Sequence, residues 1–555
     1  MKIDIDAIGY RWKGVYSPYM AYKERDVVFK DGGAYVIRNG TPQPFALGQQ
    51  DATLKGHLLT GGVSVGGVGG MTLHSNADSS IEFRFTDDRN GTTCARLMET
   101  VQNHRTAYAS NSCFLGVMTD GSVRGVGRSY KGSLGDGGTS DTTRRIASRA
   151  AFPNGVKISR VICGYIDNFY IDTNGGLWHS GYNPGDCVGG RGVAGPAYVP
   201  KLINGNSGIP ANAVIVDVQT SYGYYGYPNV MALDSTGRVY AWGYNQDSCL
   251  GLNTSSTVGT ATLVPFTATT PIKKICVNGN YYGVSCLIDY GGNAWIAGHD
   301  TINFAVVGNN LTTHHRIDFG GREVKKMFWG EDDAHWVAGS QYQWGVGILF
   351  ENGDVYIRGV TAGQVGMDGG GWTMSDTNTA FTNKFHSGVK DIWVQFGGYQ
   401  CAIALMNDGT VQARGNQSYG QNGSPALVAT TTWGTIGGTY LQNVTKLSVM
   451  GGQYGSTNAA LRSDGKLVVW GGNMQGCVGD GRAPGTGDNL PDNFYLSDRP
   501  IVDFCWGGVR YEATGANQVY ALNDLGQVLA AGAGDSNANG DDDSENSLTP
   551  QLLRF

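Results

Sequence analysis

The side chains best suited to chemistry in this sequence are its 10 cysteines and 9 histidines. Six cysteines recur at two equivalent positions of an internal repeat, before an apolar–Gly pair or within a strand-like segment: Cys187, Cys249 and Cys477, then Cys163, Cys276 and Cys505. Equivalent positions lie about one repeat apart, beyond the roughly 7 Å between Cα atoms that a disulfide tolerates. No Cys-x-x-Cys motif signals a zinc site. We therefore predict small buried thiols, made in a reducing compartment.

Two further groups contain residue types that bind metals. His314 and His315 are adjacent, with His335 further along the chain, but consecutive residues of a strand point to opposite faces. The acidic residues at 541–543 and 545 form either a solvated connection or a weak Ca²⁺ site. We predict no metal and no cofactor.

No catalytic motif stands in a suitable context. The sequence has no Gly-x-Ser-x-Gly elbow between a strand and a helix, and no phosphate loop with Gly-Lys-Ser/Thr. Carboxylate pairs that cleave glycosides are defined by their separation in space, which spacing along the chain does not reveal. We predict that the protein is not an enzyme.

The composition limits the class of protein and the kinds of secondary structure that can hold these candidate residues. Of 555 residues, 87 are Gly, and charged residues make up 15%, against about 25% in typical soluble domains. The net charge of -6 disfavours nucleic acid as a partner, because phosphate-backbone binding needs a basic surface. We expect no transmembrane helix and no secretory signal, since long apolar runs are absent from the sequence. Abundant Gly, Tyr and Trp favour an all-β protein with many tight turns.

An internal repeat organises most of the chain. Two apolar residues, a polar turn with Gly, an alternating strand and a second Gly recur, as in 232–243, 404–415 and 460–471. The turn glycine occurs eight times: Gly121, Gly175, Gly237, Gly292, Gly353, Gly409, Gly465 and Gly526. Gly tolerates the positive φ of such hairpin turns. With an Asn-rich turn, an apolar–Gly pair and a returning strand such as 272–276, each copy contains about four strands, which is typical of a propeller blade.

The order of these motifs resembles the repeat of the regulator of chromosome condensation family. Examples are Trp242-Gly243-Tyr244-Asn245 and the later Cys249-Leu250-Gly251. The resemblance covers roughly residues 112–555 and implies a β-propeller, usually of seven blades, although eight repeats are present. We therefore predict an all-β propeller of seven or eight blades. The C-terminal segment 549–555 could complete the first blade and close the ring.

Residues 1–55 have a different pattern, with a Trp-containing strand and two strands around Gly32-Gly33. They resemble a small chitin-binding-like module found near the start of phage tail and fibre proteins. Trp12, Tyr16 and Tyr35 are interpreted either as the core of this small β module or as a stacking platform for a sugar ring. Residues 56–111 are predicted to be a Gly-rich linker with short strands, followed by the propeller at 112–555.

The combined resemblances predict a bacteriophage virion structural protein, a tail fibre or receptor-binding protein that contacts the host cell surface. It would be made in the host cytoplasm and be located in the virion. The expected partners are other virion proteins, a host surface glycan or an outer-membrane receptor, no nucleic acid, and further copies of the chain. Six aromatic residues are candidates for surface recognition or for packing between blades: Tyr224, Tyr225, Tyr281, Tyr282, Trp372 and Trp433.

Family analogy suggests an alternative function. The chain would then be a cellular propeller regulator or adaptor that binds a protein partner such as a small GTPase. An enzyme inhibitor is a third hypothesis, since a related propeller binds β-lactamase, but no residue here points to that partner.

Overall fold

The computed structural model describes residues 113–553 apart from 140–141, 165–166, 184–187, 194, 222–227, 246–247, 267–269, 279–282, 299–310, 318, 330–344, 360–383, 396–400, 416–419, 424–429, 451–456, 474–475, 483–496, 498, 509–516 and 533–546. Before residue 113 it describes the backbone of seven strands. The Gly-rich segment 61–69 lies outside the described residues.

The N-terminal strands form two small sheets. They are β1 (Arg11–Val15), β2 (Asp26–Lys30), β3 (Gly33–Arg38) and β4 (Thr41–Pro44), followed by the hairpin of β5 (Gly70–Ser75) and β6 (Ile81–Thr86). β2 and β3 pair antiparallel, with Lys30 opposite Gly33, which confirms the hairpin predicted at Gly32-Gly33. β5 and β6 both lie within residues 56–111, where short strands are predicted.

The rest of the chain builds eight consecutive sheets, the blades of an eight-bladed β-propeller. Blade one is β7 (Ala95–Arg96), β8 (Cys113–Met118), β9 (Val123–Ser129) and β10 (Thr142–Arg149), with a short 3-10 helix at Tyr130–Gly132. Blade two is β11 (Ile158–Cys163), β12 (Asp167–Asp172), β13 (Leu177–Gly181) and β14 (Ala197–Leu202). Blade three is β15 (Ile215–Thr220), β16 (Asn229–Asp234), β17 (Val239–Gly243) and β18 (Val258–Leu263). Blade four is β19 (Ile272–Asn278), β20 (Val284–Asp289), β21 (Ala294–Gly298) and β22 (Leu311–Ile317).

The second half repeats this plan. Blade five is β23 (Val324–Trp329), β24 (Gly345–Phe350), β25 (Val355–Gly359) and β26 (Lys384–His386). Blade six is β27 (Val389–Gln395), β28 (Cys401–Met406), β29 (Val411–Gly415) and β30 (Thr430–Thr435). Blade seven has three strands in the part of the chain that the structure describes, β31 (Val444–Met450), β32 (Thr457–Arg462) and β33 (Leu467–Gly471). Blade eight is β34 (Ile501–Gly508), β35 (Asn517–Asn523), β36 (Val528–Gly532) and β37 (Ser547–Leu552).

Each blade is an antiparallel meander, so its connections separate onto two faces of the ring. The hairpin turn between the second and third strands lies beside the start of the first strand, as the pairing of Ile215 with Asp234 shows. We call this side the turn face. The opposite side, the loop face, carries the connections from first to second and from third to fourth strands. Most of the residues in those longer connections lie outside the described residues.

The turn glycines join neighbouring blades. All eight have φ between 74° and 83°, as the hairpin prediction requires. At seven junctions the carbonyl of this glycine accepts a hydrogen bond of 2.7–3.3 Å from the first residue of the next blade's first strand. A Cβ added to Gly237 would overlap the Cβ of Pro271, the residue before the next blade's first strand. Glycine is therefore needed both for its backbone angle and for the close approach of the next blade.

The apolar–Gly pair joins blades at the loop face. Leu250 is fully buried in a cluster with Ile272 and Ile275 of the next blade. Asn245 organises the preceding turn, because its Oδ1 accepts from the Leu250 amide at 2.9 Å and its Nδ2 donates to the carbonyl of Thr254. Leu134, Val188 and Val478 occupy the same position at other junctions. The repeat motif therefore encodes inter-blade contacts as well as strands.

The ring closes by apolar packing between blades eight and one. The rings of Phe114 and Tyr520 lie 4.6 Å apart within a shared buried cluster. The suggestion that the C-terminal segment completes blade one is wrong, because β37 pairs with β36 in blade eight, with Leu552 opposite Leu529. Because blade eight is a continuous meander, its last strand pairs with the strand that precedes it in sequence. The ring is closed by side-chain contacts between blades eight and one.

Candidate functional site

The most regular polar feature of the described residues is a ring on the turn face, built from the starts of the first strands. These strands are innermost, because first strands of successive blades contact each other, for example β15 with β19 and β27 with β31. We define the inner ring as the second and third residues of the first strand in blades two to eight: Ser159 and Arg160, Val216 and Asp217, Lys273 and Lys274, Lys325 and Lys326, Lys390 and Asp391, Thr445 and Lys446, Val502 and Asp503.

A β-bulge positions these residues in every one of the seven blades. The pairing register of the first strand shifts between its first and third residues, so the second residue has no partner on the neighbouring strand. A bulge leaves its extra residue unpaired and re-aims the side chains around it. The second residue of each strand is therefore presented on the turn face, and the third lies beside the next blade.

Third-position side chains form ion pairs between blades. Arg160 pairs with Asp217 at 2.9 Å, which joins blades two and three. Blades five and six are joined by Lys326 and Asp391 at 2.9 Å, and a Lys–Asp pair of 2.6 Å joins blades seven and eight. Because these groups are partly buried and already paired, their role is to connect blades.

The surroundings of the ion pairs reinforce this role. Burial raises the pKa of Asp217, and the charge of Arg160 opposes that rise. The ammonium of Lys326 also lies 4.6 Å from the ring centroid of Trp393 in the next blade. Cation–π contacts of this kind add to the attraction between blades.

Second-position lysines on three consecutive blades behave differently. We call Lys273, Lys325 and Lys390 the lysine arc. Lys273 lies 3.3 Å from the carboxylate of Glu351, a half-exposed pair. Lys325 and Lys390 donate to backbone carbonyls of the following blade, at 2.7 and 3.2 Å. Each ammonium has three donors, so these two retain donors for other acceptors.

Exposed apolar side chains lie on the same face. Among the exposed large hydrophobic residues are Val214 (43%), Val216 (46%) and Tyr290 (70%) on adjacent blades three and four, and Val502 (55%) on blade eight. Tyr290 follows the second strand of blade four, and its amide donates to the carbonyl of Pro271, two residues before Lys273. The turn face thus combines apolar and cationic groups on a rigid ring.

The aromatic residues proposed from sequence are placed as follows. Trp12 and Tyr35 lie in β1 and β3, where only the backbone is described. Tyr16 lies outside the described residues, as do five of the six surface candidates: Tyr224, Tyr225, Tyr281, Tyr282 and Trp372. Trp433 in β30 is partly buried, donates through Nε1 to the carbonyl of Phe385 at 3.0 Å, and stacks on His386 at 4.1 Å. Trp433 therefore contacts blade five from blade six.

Sequence reasoning did not identify the inner ring. Its signal is visible in the repeated Ile/Val-x-charged start of each first strand, including the Lys-Lys pairs at 273–274 and 325–326. These segments read as strands, but the bulge that exposes their second residue has no clear local signature.

The cysteine prediction is confirmed for the residues that the structure describes. Eight cysteines are free thiols, seven of them buried and Cys276 partly buried. Burial raises the pKa of Cys113 to about 12, so it remains a thiol.

The prediction that the adjacent histidines point to opposite faces of a strand is confirmed. His314 is buried and His315 is exposed, on opposite faces of β22. His335 and the acidic residues at 541–545 lie outside the described residues. Within the described ranges no group of three or more His, Cys, Asp or Glu could hold a metal ion, and no helix there is long and apolar enough to span a membrane.

Comparison with known proteins supports the repeat. Residues 236–281 match the model of the regulator of chromosome condensation (RCC1) repeat, which confirms the resemblance for this segment. The chain is 28% identical over 136 residues to the ultraviolet-B receptor UVR8 of Arabidopsis thaliana. That match spans 24% of this chain and 28% of the receptor.

Two solved structures are also similar to this chain. Prp20p from Saccharomyces cerevisiae, described with its binding to Gsp1p and histones, is 18% identical, with a TM-score of 0.47 and coverage of 70% of this chain and 88% of that chain. Human WBSCR16 is 16% identical, with a TM-score of 0.43 and coverage of 77% and 89%.

These matches correct the functional prediction. The prediction of a bacteriophage tail fibre in the virion, with virion proteins and a host glycan or outer-membrane receptor as partners, is wrong, because the matched repeat and relatives are those of cellular RCC1-type proteins. That prediction depended on joining the N-terminal resemblance to the propeller. A shared module or fold does not determine function.

Proposed function

We propose that this protein is a cellular propeller regulator or adaptor that binds a protein partner through the turn face. A small GTPase is the partner class that the family resemblance implies. The observation that carries the proposal is the group of exposed apolar residues Val214, Val216 and Tyr290 on adjacent blades. Exposed apolar side chains beside charged groups are common in protein interaction sites.

The rigidity of this face supports the proposal. The turns that carry it are held to the next blade by the glycine carbonyl bonds, as at Gly237 and Ile272. Asp234 also stabilises its turn by accepting bonds from the amides of Thr236 and Arg238. A preorganised surface loses little conformational entropy when a partner binds.

No catalytic step is part of this proposal. Regulators of this kind act by binding, and the described inner ring contains lysines and aspartates that mostly serve inter-blade contacts. The resemblance of residues 1–55 to a chitin-binding-like module and the sugar-stacking role of Trp12, Tyr16 and Tyr35 stay predictions.

The test places a photo-crosslinking amino acid at Tyr290 in the full chain, expressed in its native cells. Val193, which is 52% exposed in a loop-face connection, is the matched control position. We expect a discrete protein adduct from position 290 that is absent from position 193. Equal adducts at both positions, or none at 290, would contradict the proposal.

The partner class is tested separately. Purified chain is mixed with small GTPases carrying a fluorescent guanine nucleotide, and both complex formation and nucleotide release are measured. Binding that Tyr290→Asp weakens supports a GTPase partner. An adduct at position 290 whose partner is not a GTPase would support the proposed binding function but exclude small GTPases as the partner class.

A further inference from the structure

Two of the three lysines in the lysine arc, Lys325 and Lys390, carry positive charge that the described part of the chain does not neutralise, whereas Lys273 pairs with Glu351. Lys326 and Lys446 of the inner ring each have an Asp partner within 3 Å. Lys325 and Lys390 have no carboxylate within ion-pair distance among the described residues, and each reaches only backbone carbonyls. Lys274 likewise donates to the carbonyl of Lys325 at 3.4 Å.

This charge is local. The inner ring holds seven Lys and Arg side chains against three Asp, an excess of four positive charges, whereas the whole chain has a net charge of -6. By blade, the excess falls in blades four and five, each with two lysines, whereas in blade six Asp391 offsets Lys390. Lysines stand at the second position of the bulge in all three of these blades. A local concentration of one sign attracts and orients a partner of the opposite sign.

We infer that the lysine arc binds a run of carboxylates, an acidic segment of the protein partner, with Tyr290 contacting apolar residues beside that run. The inference rests on the proposed function and adds the chemistry of the partner. Lys325 and Lys390 are each held toward the following blade, so their ammonium groups follow one another along the ring. An extended acidic segment crossing blades four to six would meet them in turn.

A protein segment fits this surface better than nucleic acid. Phosphate backbones bind broad basic surfaces, and a chain with net charge -6 repels a polyanion outside the arc. The neighbouring Val216 and Tyr290 are exposed apolar groups that suit a segment mixing acidic and hydrophobic residues.

The experiment measures binding of a fluorescein-labelled oligo-glutamate peptide to the full chain by anisotropy, at increasing salt. The test variant is Lys325→Gln with Lys390→Gln, which removes charge and preserves length. Lys201→Gln, at an exposed lysine of the outermost strand of blade two, is the control. Lys325→Arg with Lys390→Arg keeps the charge.

We expect salt-sensitive binding that the double Gln variant weakens about two- to thirtyfold, which corresponds to two partly exposed ion pairs. Lys201→Gln and the double Arg variant should bind within about twofold of the unmodified chain, inside the range of a weak surface pair. Thermal unfolding of each variant confirms that the ring is intact.

Three outcomes would overturn the inference. They are no peptide binding by the unmodified chain, equal binding by the double Gln variant, and an oligonucleotide that binds more tightly than the peptide and is lost in the same variant. If the crosslink at position 290 persists under any of these outcomes, the arc hypothesis fails while the proposed function stands.

Discussion

The carbonyl oxygen of Gly175 accepts a hydrogen bond of 2.9 Å from the amide of Ile215, the first residue of the next blade's inner strand. The same bond recurs at six further junctions. It connects the hairpin turn between the second and third strands of one blade to the first strand of the next blade. The strand that begins at Ile215 bulges at once, so this joint also sets where Val216 and Asp217 are presented.

Substitution of Gly175 by Ala should destabilise the ring. Gly175 has φ of 82°, and an added Cβ would lie 2.5 Å from Val214 Cγ1 and 2.8 Å from its Cα. Backbone strain of about 1–2 kcal/mol and overpacking of about 1–3 kcal/mol should both lower the free energy of unfolding. Denaturant unfolding measures the loss.

The control for this substitution is Gly155→Ala. Gly155 has a similar φ of 84° but no atom within 4 Å of the added Cβ. Its free energy of unfolding should fall only by the backbone strain, about 1–2 kcal/mol. Equal losses for Gly155→Ala and Gly175→Ala would refute the inter-blade contribution.

Leu250→Ala should loosen the junction of blades three and four. Leu250 is fully buried among residues of both blades, so its truncation should cost about 2–5 kcal/mol through lost burial and a cavity. Leu263→Ala, at a leucine that is 49% exposed on blade three, should change stability by about 0.5 kcal/mol or less. Differential scanning calorimetry measures the unfolding temperature of both variants. Similar decreases in that temperature for Leu250→Ala and Leu263→Ala would contradict the role of the apolar–Gly pair.

Stability should fall as the pH drops from 7 to 5. Burial lowers the pKa of His179 and of His314 to about 3, and neither ring nitrogen of His179 has a hydrogen-bond partner among the described residues. Both histidines are neutral in the folded protein, whereas in the unfolded chain they take up protons below about pH 6.5. Each therefore favours unfolding by about 2 kcal/mol at pH 5, and the loss grows until the folded pKa is reached.

The variant His179→Leu tests this linkage. It should flatten the pH dependence of the unfolding free energy between pH 7 and 5, while Leu263→Ala, which removes no titratable group from an exposed site, should leave that dependence unchanged. If the unfolding free energy of His179→Leu depends on pH as it does in the unmodified chain, protonation of His179 is not the cause of the loss of stability.

The ion pair of Lys446 and Asp503 should stabilise the junction of blades seven and eight modestly. A double-mutant cycle with Lys446→Gln and Asp503→Asn should give a coupling energy of about 0.5–1 kcal/mol that decreases with salt. A coupling energy of zero at low salt would mean that the 2.6 Å contact does not contribute to stability.

Much of the fold was predictable because its signals are local. Turn glycines such as Gly175 and Gly237 mark hairpins through their tolerance of positive φ, and alternating apolar residues mark the flanking strands. Counting these turns gave eight repeats and a prediction of seven or eight blades, and the structure has eight.

The sequence by itself therefore determined the repeat and the strands, and it limited the number of blades to seven or eight. Only the tertiary structure decided how the blades meet, since Gly175 and Ile215 come from different repeats and touch only once the ring forms. It also decided that Lys325 and Lys390 share one face, because a bulge in each inner strand breaks the alternation that sequence patterns follow. Closure through Phe114 and Tyr520 likewise depends on contact between the two ends of the repeat array, which no local pattern encodes.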